Sequence, residues 1–324
     1  MPIIKAAGAA LAALAAVAPC TAHAQEYPAR PISLVVSYSA GGNNDIRARQ
    51  LSIPVGRLLG TTLIVENKPG ASGNIGHEYV ARAPRDGYVL GIGAMGPLSV
   101  NPAFMPKMGF DPLRDFEPVI LIEKAPLVLV TRADKPLRNL REVIAAGRAK
   151  ESTLTVGNAG QGGAHHLSAE VLRQATGIAY TAVPYKGGGP ATTALLAGEI
   201  DLMFEQTYAA LPSIRAGRTR ALGVTSDKRL PSLPDVPTFA ELGYPQMVIS
   251  NWLGVIAPKG TPKAVVARLN AAFNQALAGA EMQEKIVGPG NQAGGGSPEE
   301  FGALIAAESK RWAALVASAK IKAD

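Results

Sequence analysis

The sequence predicts an α/β protein built as two doubly wound lobes joined by two crossing strands, and three observations predict it. Short apolar, β-branched runs alternate with helix-like segments up to residue 93 and again from residue 140 to 225, the pattern of parallel strands with crossover helices. Between the two series lies one long extended run, residues 116–131, which suits a strand that leaves one lobe and enters another. A further strand at residues 252–257 is a candidate for the return crossing. The 324 residues are comfortable for two compact cores.

The first series opens at residues 32–36, breaks at Gly41-Gly42 and restarts with Asn43, Asn44 and Asp45. This is a strand, a glycine turn and a helix N-terminus. The glycines let backbone approach a ligand closely, and the Asn/Asp residues are expected to cap the helix. Such a corner suits an anion. The helix ends near Leu59-Gly60, and Pro54 is expected to kink or divide it. A strand at 62–66, a second glycine-rich turn at 67–74, a short helix at 75–82 and a strand at 88–93 follow. In the second series, helices at 140–150, 165–176, 191–196 and 208–216 alternate with strands at 154–157, 179–184, 200–204 and 220–225. Three of these strands end at Asn158, Tyr185 and Glu205, where sheets of this kind bind ligands. Amphipathic helices at 262–278 and 298–316 start at prolines.

Composition narrows the function. Hydrophobic residues make up 47 % and charged residues 18 %, the balance of a folded chain. The N-terminal Ala/Leu/Val run at residues 6–18, behind Lys5 and followed by Ala22-His23-Ala24, reads as a secretory signal over residues 1–24. It is shorter than the ~20 residues of a membrane-spanning helix, and Pro19 before Cys20 fits a lipoprotein signal poorly. Cys20 is the sole cysteine and leaves with the signal, so disulfide and thiol chemistry are not expected. The formal charge of +7 is modest, and no Lys/Arg cluster interleaved with aromatics points to nucleic acid.

Catalytic and cofactor motifs are weak. Gly91-Ile92-Gly93-Ala94-Met95-Gly96 matches G-x-G-x-x-G, but Pro97 follows at once and no long glycine-started helix does. No serine-hydrolase elbow and no P-loop occurs. His165-His166 point about 100° apart on a helix, and with His77 as the remaining mature histidine no metal site is expected. A histidine lining the second-lobe loop is the preferred reading. Trp252 and Trp312 read as packing residues, Trp252 near the hinge.

The segments SYSAGGNNDIRAR, ENKPGASGNIG, RDGYVLGIG, VPYKGGGPA, GEIDLMFE and WLGVIAPKGTP, together with the KR-x-x-x-LPDVPTFAE-x-G block at residues 228–243, resemble the periplasmic solute receptors of tripartite tricarboxylate transporters, also called Bug-type receptors. The resemblance runs over residues 27–316. It implies a type II periplasmic-binding-protein fold, with residues 25–124 and 251–324 as the first lobe and 125–250 as the second. It also implies a non-catalytic receptor without cofactor or metal, which binds a small carboxylate and delivers it to integral-membrane transporter subunits. The first lobe would contact the ligand through Tyr38, Ser39, Ala40, Gly41 and Gly42, continued by Asn43, Asn44 and Asp45. The second would use Asn158, Gly160, Gly162, Gly163, His165, Tyr185, Gly187 and Glu205. Two departures stand out. The family's Phe-x-Pro-Gly-Gly corner is Tyr38-Ser39-Ala40-Gly41-Gly42 here, and Asn43-Asn44 replace a small residue and threonine before Asp45. Glu205 stands where many members carry aspartate. The alternatives are a ligand-binding module feeding a sensor, and an enzyme using Asp45, Glu205 and His165, which nothing in the sequence sets up as an acid–base pair.

Overall fold

The first strand, β1 (Ile32–Val36), places Ile32, Leu34 and Val36 on one face and Val35 on the other, the period-2 alternation of a sheet covered on both sides. The computed structural model describes residues 27–103, 105, 107–159, 163–185 and 187–319. The signal-peptide segment, Gly160 and Gly162 lie outside the described residues.

The first lobe continues with α1 (Asn43–Leu59), β2 (Leu63–Asn67), α2 (Asn74–Ala81) and β3 (Val89–Ala94). Strands β2, β1 and β3 are parallel. Then comes β4 (Phe116–Arg132), which runs through both lobes. Up to Pro126 it pairs antiparallel with β9 (Ser250–Pro258); from Leu127 onward it pairs with β7 (Leu202–Gln206) and β8 (Thr219–Val224). Between lie α3 (Leu140–Arg148), β5 (Thr155–Asn158), α4 (Ala164–Thr176), β6 (Thr181–Pro184), α5 (Gly188–Ala197) and α6 (Thr207–Arg215). Strands β6, β5 and β7 are parallel. After β9 come α7 (Lys263–Ala278), α8 (Ala280–Val287), β10 (Gln292–Gly295) and α9 (Pro298–Ala319). The sheets are therefore mixed rather than purely parallel, because the crossing strands enter each antiparallel to their neighbours.

Two expectations need correction, on α1 and α5, while the absence of a long helix after the glycine motif agrees with the sequence reading. α1 runs unbroken through Pro54; Leu51, Val55 and Leu59 on either side of the proline are buried in one core and hold both halves on the sheet. α5 starts at Gly188, ahead of the expected residue 191. The glycine motif at residues 91–96 leads into a π-helical turn, Gly96–Val100, and a 3₁₀ turn, Asn101–Ala103.

The crossing is clasped by Thr225, which is fully buried. Its N–H donates to the Leu127 carbonyl at 2.8 Å, its hydroxyl oxygen accepts the Leu127 N–H at 2.8 Å and its hydroxyl donates to the Ile249 carbonyl at 2.5 Å. α9 reaches across behind these strands. Arg311 donates to the carbonyls of Val248 and Gln246, both at 2.8 Å, and Trp312 and Leu315 share one apolar cluster with Leu172 of α4. Among the described residues no helix is long and apolar enough to cross a membrane.

Candidate functional site

Five helices start directly after the carboxyl ends of parallel strands: α1 and α2 in the first lobe, α4, α5 and α6 in the second. Their N-cap residues are Gly42, Gly73, Gly163, Gly187 and Gln206, and none of the five supplies a side-chain cap. Helices that start elsewhere can be capped in the usual way. Asn139 accepts the Glu142 N–H at 3.0 Å ahead of α3, and Ser297 and Glu300 bond reciprocally at the start of α9. The first N–H groups of a helix have no intrahelical partner. At these five positions no N-cap side chain takes them up, although at α2 the Asn74 N–H bonds back to the Ala71 carbonyl, and the helix dipoles favour negative charge there.

The first corner is held from beneath. Gly41 has φ +83, which a residue with a Cβ resists, whereas Gly42 is extended at φ −77 and ψ 167. The expectation that Asn43, Asn44 and Asp45 cap α1 is corrected: Asn43 and Asn44 lie inside the helix and Gly42 is its N-cap. Asp45 is buried and turns back to the loop, accepting the Gly41 N–H at 2.9 Å, Arg49 Nε at 3.0 Å and Asn67 Nδ2 at 2.9 Å. The Arg49 hydrogen bond, with those from Gly41 and Asn67, outweighs burial and holds its carboxyl at about 2. Ser39, Ala40, Gly41 and Gly42 are exposed and Tyr38 is half-buried, its hydroxyl 3.4 Å from the Ser72 carbonyl.

Asn43 faces the crossing strand. Its amide donates to Glu123 at 3.0 Å. Glu123 is completely buried and also accepts Arg47 Nη2 at 2.7 Å and Asn291 Nδ2 at 2.9 Å. A register shift between Leu121 and Glu123 in the β4–β9 pairing puts Glu123 toward α1. Asn44 makes no side-chain hydrogen bond among the described residues.

The second glycine turn is braced by His77 of α2. Its Nδ1 lies 2.9 Å from both Ser37 Oγ and the Gly73 carbonyl, and its Nε2 accepts the Ala94 N–H at 3.4 Å. Gly76 is required beside it, because a Cβ there would lie 2.8 Å from Ser37 Cα. Burial pushes the imidazole down from its ordinary 6.5 to about 4. The unfolded chain therefore takes up the proton first as pH falls. Stability from neutral His77 is complete above pH 6.5 and lost on the way down to pH 4, about 3 kcal/mol in all. His77→Gln should flatten this fall when unfolding is followed in urea at pH 7, 5.5 and 4; an unchanged pH slope would remove His77 as its source.

In the second lobe Glu205, at the end of β7, gathers three elements. It accepts His165 Nε2 of α4 at 3.2 Å, Thr192 Oγ1 of α5 at 2.7 Å and the Gln206 N–H at 2.8 Å. Burial raises its pKa, but His165 first, then Thr192 and the Gln206 N–H outweigh it and hold the carboxyl below its ordinary value. Gly188 lets α5 start against it, since a Cβ there would touch both carboxylate oxygens at 3.4 Å. Tyr185 is half-buried and bonds through its N–H to the Asn158 carbonyl at 2.9 Å. Tyr208 stands between the lobes. Burial first, then the charges of Glu205 and Glu123, push its phenol up to about 12, against Arg47. No hydrogen bond or ion pair joins residues 38–45 to Gly163, His165, Tyr185, Gly187 or Glu205 among the described residues.

Sequence reasoning missed Arg47, Glu123, Asn291, Thr192 and Tyr208. Glu123 left one signal, a charged interruption in the long apolar strand; the others lie in segments whose pattern does not distinguish them from ordinary polar positions.

The sequence model of the "Tripartite tricarboxylate transporter family receptor" matches residues 47–321. Protein BugT of Bordetella pertussis is 37 % identical over 302 residues, 92 % of this chain and 93 % of BugT. The R. palustris protein Rpa4515, solved with adipate, superposes with a TM-score of 0.81 at 35 % identity over 92 % of this chain and 99 % of that one. MatC from Rhodopseudomonas palustris, solved with bound malate, gives a TM-score of 0.77 at 33 % identity over 90 % of this chain and 100 % of that one. With its two lobes and crossing strands, the chain belongs to the tripartite tricarboxylate transporter receptor family, a family of periplasmic solute-binding receptors.

Proposed function

We propose that this protein is a periplasmic receptor that captures a small carboxylated solute between its lobes and delivers it to the membrane subunits of a tripartite tricarboxylate-type transporter. The observation that carries this reading is the set of five helix N-termini that follow the carboxyl ends of parallel strands without side-chain caps, two on one lobe and three on the other. Backbone donors hold a carboxylate without a buried arginine, directly or through water. The adipate and malate of Rpa4515 and MatC are both dicarboxylates, which fits donors on both walls. The lobes move as residues 25–124 with 251–324 against 125–250, about a hinge at residues 125–127 and 225–250.

The acids and bases of the cleft support binding rather than turnover. Asp45 and Glu205 are held ionised by their own loops and His165 is bonded to Glu205, so no pair is poised to exchange a proton with a substrate. Of the two asparagines that depart from the family pattern, Asn43 is bonded to Glu123, and Asn44 is the one left to read the ligand.

A thermal-shift panel of mono-, di- and tricarboxylates, malate and adipate included, tests the reading. A ligand at ~100 times its dissociation constant adds about 2.7 kcal/mol, a rise of roughly 5 °C or more for domains of this size. No shift with any member of a broad panel would refute carboxylate capture.

A further inference from the structure

A cavity of about 340 Å³ lies against the crossing strands, lined by residues that include Lys124, Asp227, Ser250, Trp252 and Gln292. Lys124 is opposite Trp252 across β4–β9 and opposite Gln292 across β4–β10, so the three side chains share one face of the sheet. That face is covered by α9, through Leu304, Glu308 and Arg311. Glu123, next in the chain, belongs to the opposite face, with α1 and the ligand corner. The cavity is thus separated from the candidate ligand cleft by the strands themselves.

The polar groups of its lining divide sharply. The acceptors are engaged: Asp227 accepts Gln292 Nε2 at 3.0 Å, and Glu308 accepts Trp312 Nε1 at 2.8 Å and Arg311 Nη1 at 3.4 Å. Arg311 is further tied to the carbonyls of Val248 and Gln246. The donors are not. Trp252 is 1 % exposed and its indole N–H has no acceptor among the described residues, an uncommon state for a buried donor. The Lys124 ammonium and the Ser250 hydroxyl also have no partner among the described residues. A cation, a hydroxyl and an orphan N–H beside one small cavity make a set of three unpaired donors.

We propose that this cavity is a second ligand site, which takes a small oxyanion, a carboxylate or an inorganic phosphate, on Lys124, Ser250 and the Trp252 indole N–H. The site stands independently of what the cleft binds. Its walls come from the first lobe and from the hinge segment itself: Lys124 and Trp252 from the crossing strands, Asp227 and Val248 from the segment between Thr225 and Ser250. An anion held there has different contacts in the open and closed forms, and by linkage its occupancy changes the affinity of the cleft.

The chain has two tryptophans, so a ¹⁵N-labelled sample gives two indole N–H signals, and Trp252→Phe identifies the Trp252 signal. Acetate and inorganic phosphate are titrated separately at constant ionic strength, in the wild type and in Gly42→Val, which blocks the cleft. The expected result is a saturable shift of the Trp252 signal in both backgrounds, with Trp312, held by Glu308, moving little. Lys124→Met weakens the binding at least tenfold and Lys124→Arg, which keeps the charge, retains it. Saturation by acetate alone assigns a carboxylate and by phosphate alone a phosphate. A non-saturating shift, a shift indifferent to Lys124→Met, or one that vanishes in Gly42→Val would overturn the site; the last result would trace the signal to the cleft and leave the receptor reading intact.

Discussion

Gly42→Val should weaken ligand binding by roughly 100-fold or more, about 2.8 kcal/mol, while leaving a cooperative unfolding transition. The backbone at Gly42 is extended, a conformation open to any residue, and a Cβ built there meets only the Ser39 carbonyl oxygen at 3.5 Å. Folding therefore loses little more than a favourable N-cap residue, up to ~1 kcal/mol. Binding loses much more, because the branched side chain stands over the open N–H groups of α1, where the carboxylate has to sit. Gly41→Val is the informative contrast. At φ +83 it strains the loop itself, so stability and binding fall together. Calorimetric titration paired with urea unfolding separates the two effects. Gly42→Val binding with wild-type affinity would reduce the corner to a turn.

The second large effect is on stability. Glu123→Ala should cost about 3–5 kcal/mol, the price of leaving a buried partner charge uncompensated. Arg47 and Glu123 are both buried at 2.7 Å, and the amides of Asn43 and Asn291 lose their acceptor with the carboxylate. The double change Arg47→Met with Glu123→Leu removes both charges and should be clearly less destabilising than the single one, measured by urea unfolding. Because Asn43 ties the first turn of α1 to Glu123, the single variant should also lose ligand affinity. A cost below 1 kcal/mol for Glu123→Ala would mean that the cluster is hydrated and only loosely coupled to the fold.

The architecture was legible because its signals are local. β-branched runs, the glycine at the end of α1 and the long strand β4 all place themselves by period, length and turn chemistry. β10 was missed because Gln292-Ala293-Gly294-Gly295 has no β-branched residue; its strand character comes from pairing with β4. α8 was missed because it follows α7 after a single glycine, Gly279, in a polar stretch. At the site, sequence showed where the glycine corners fall but not which polar residues brace them. Asp45 sits four residues after Gly41 and bonds to it, a local relation, yet its second support is Asn67, at the end of the neighbouring strand. Glu123 meets Asn43 and Arg47 from α1 and Asn291 from just before β10, two distant parts of the chain. Such long-range polar clusters have no sequence period. Residues 116–131 nevertheless carried the hint, since a charged pair at Glu123-Lys124 in a buried strand needs partners on both faces. Glu123 finds them toward α1, and Lys124 faces the cavity behind the hinge.

The central claim, capture between two moving lobes, is tested most directly by small-angle scattering of the protein with and without a saturating carboxylate. The walls carry donors on both sides and no hydrogen bond joins the first corner to Glu205 or His165 among the described residues, so a ligand that contacts both walls favours closure by its differential affinity. The predicted result is a smaller radius of gyration in the bound state, with the decrease reduced in Glu205→Ala, where the starts of α4 and α5 lose their shared anchor on β7. Tight binding with an unchanged radius of gyration would contradict the account.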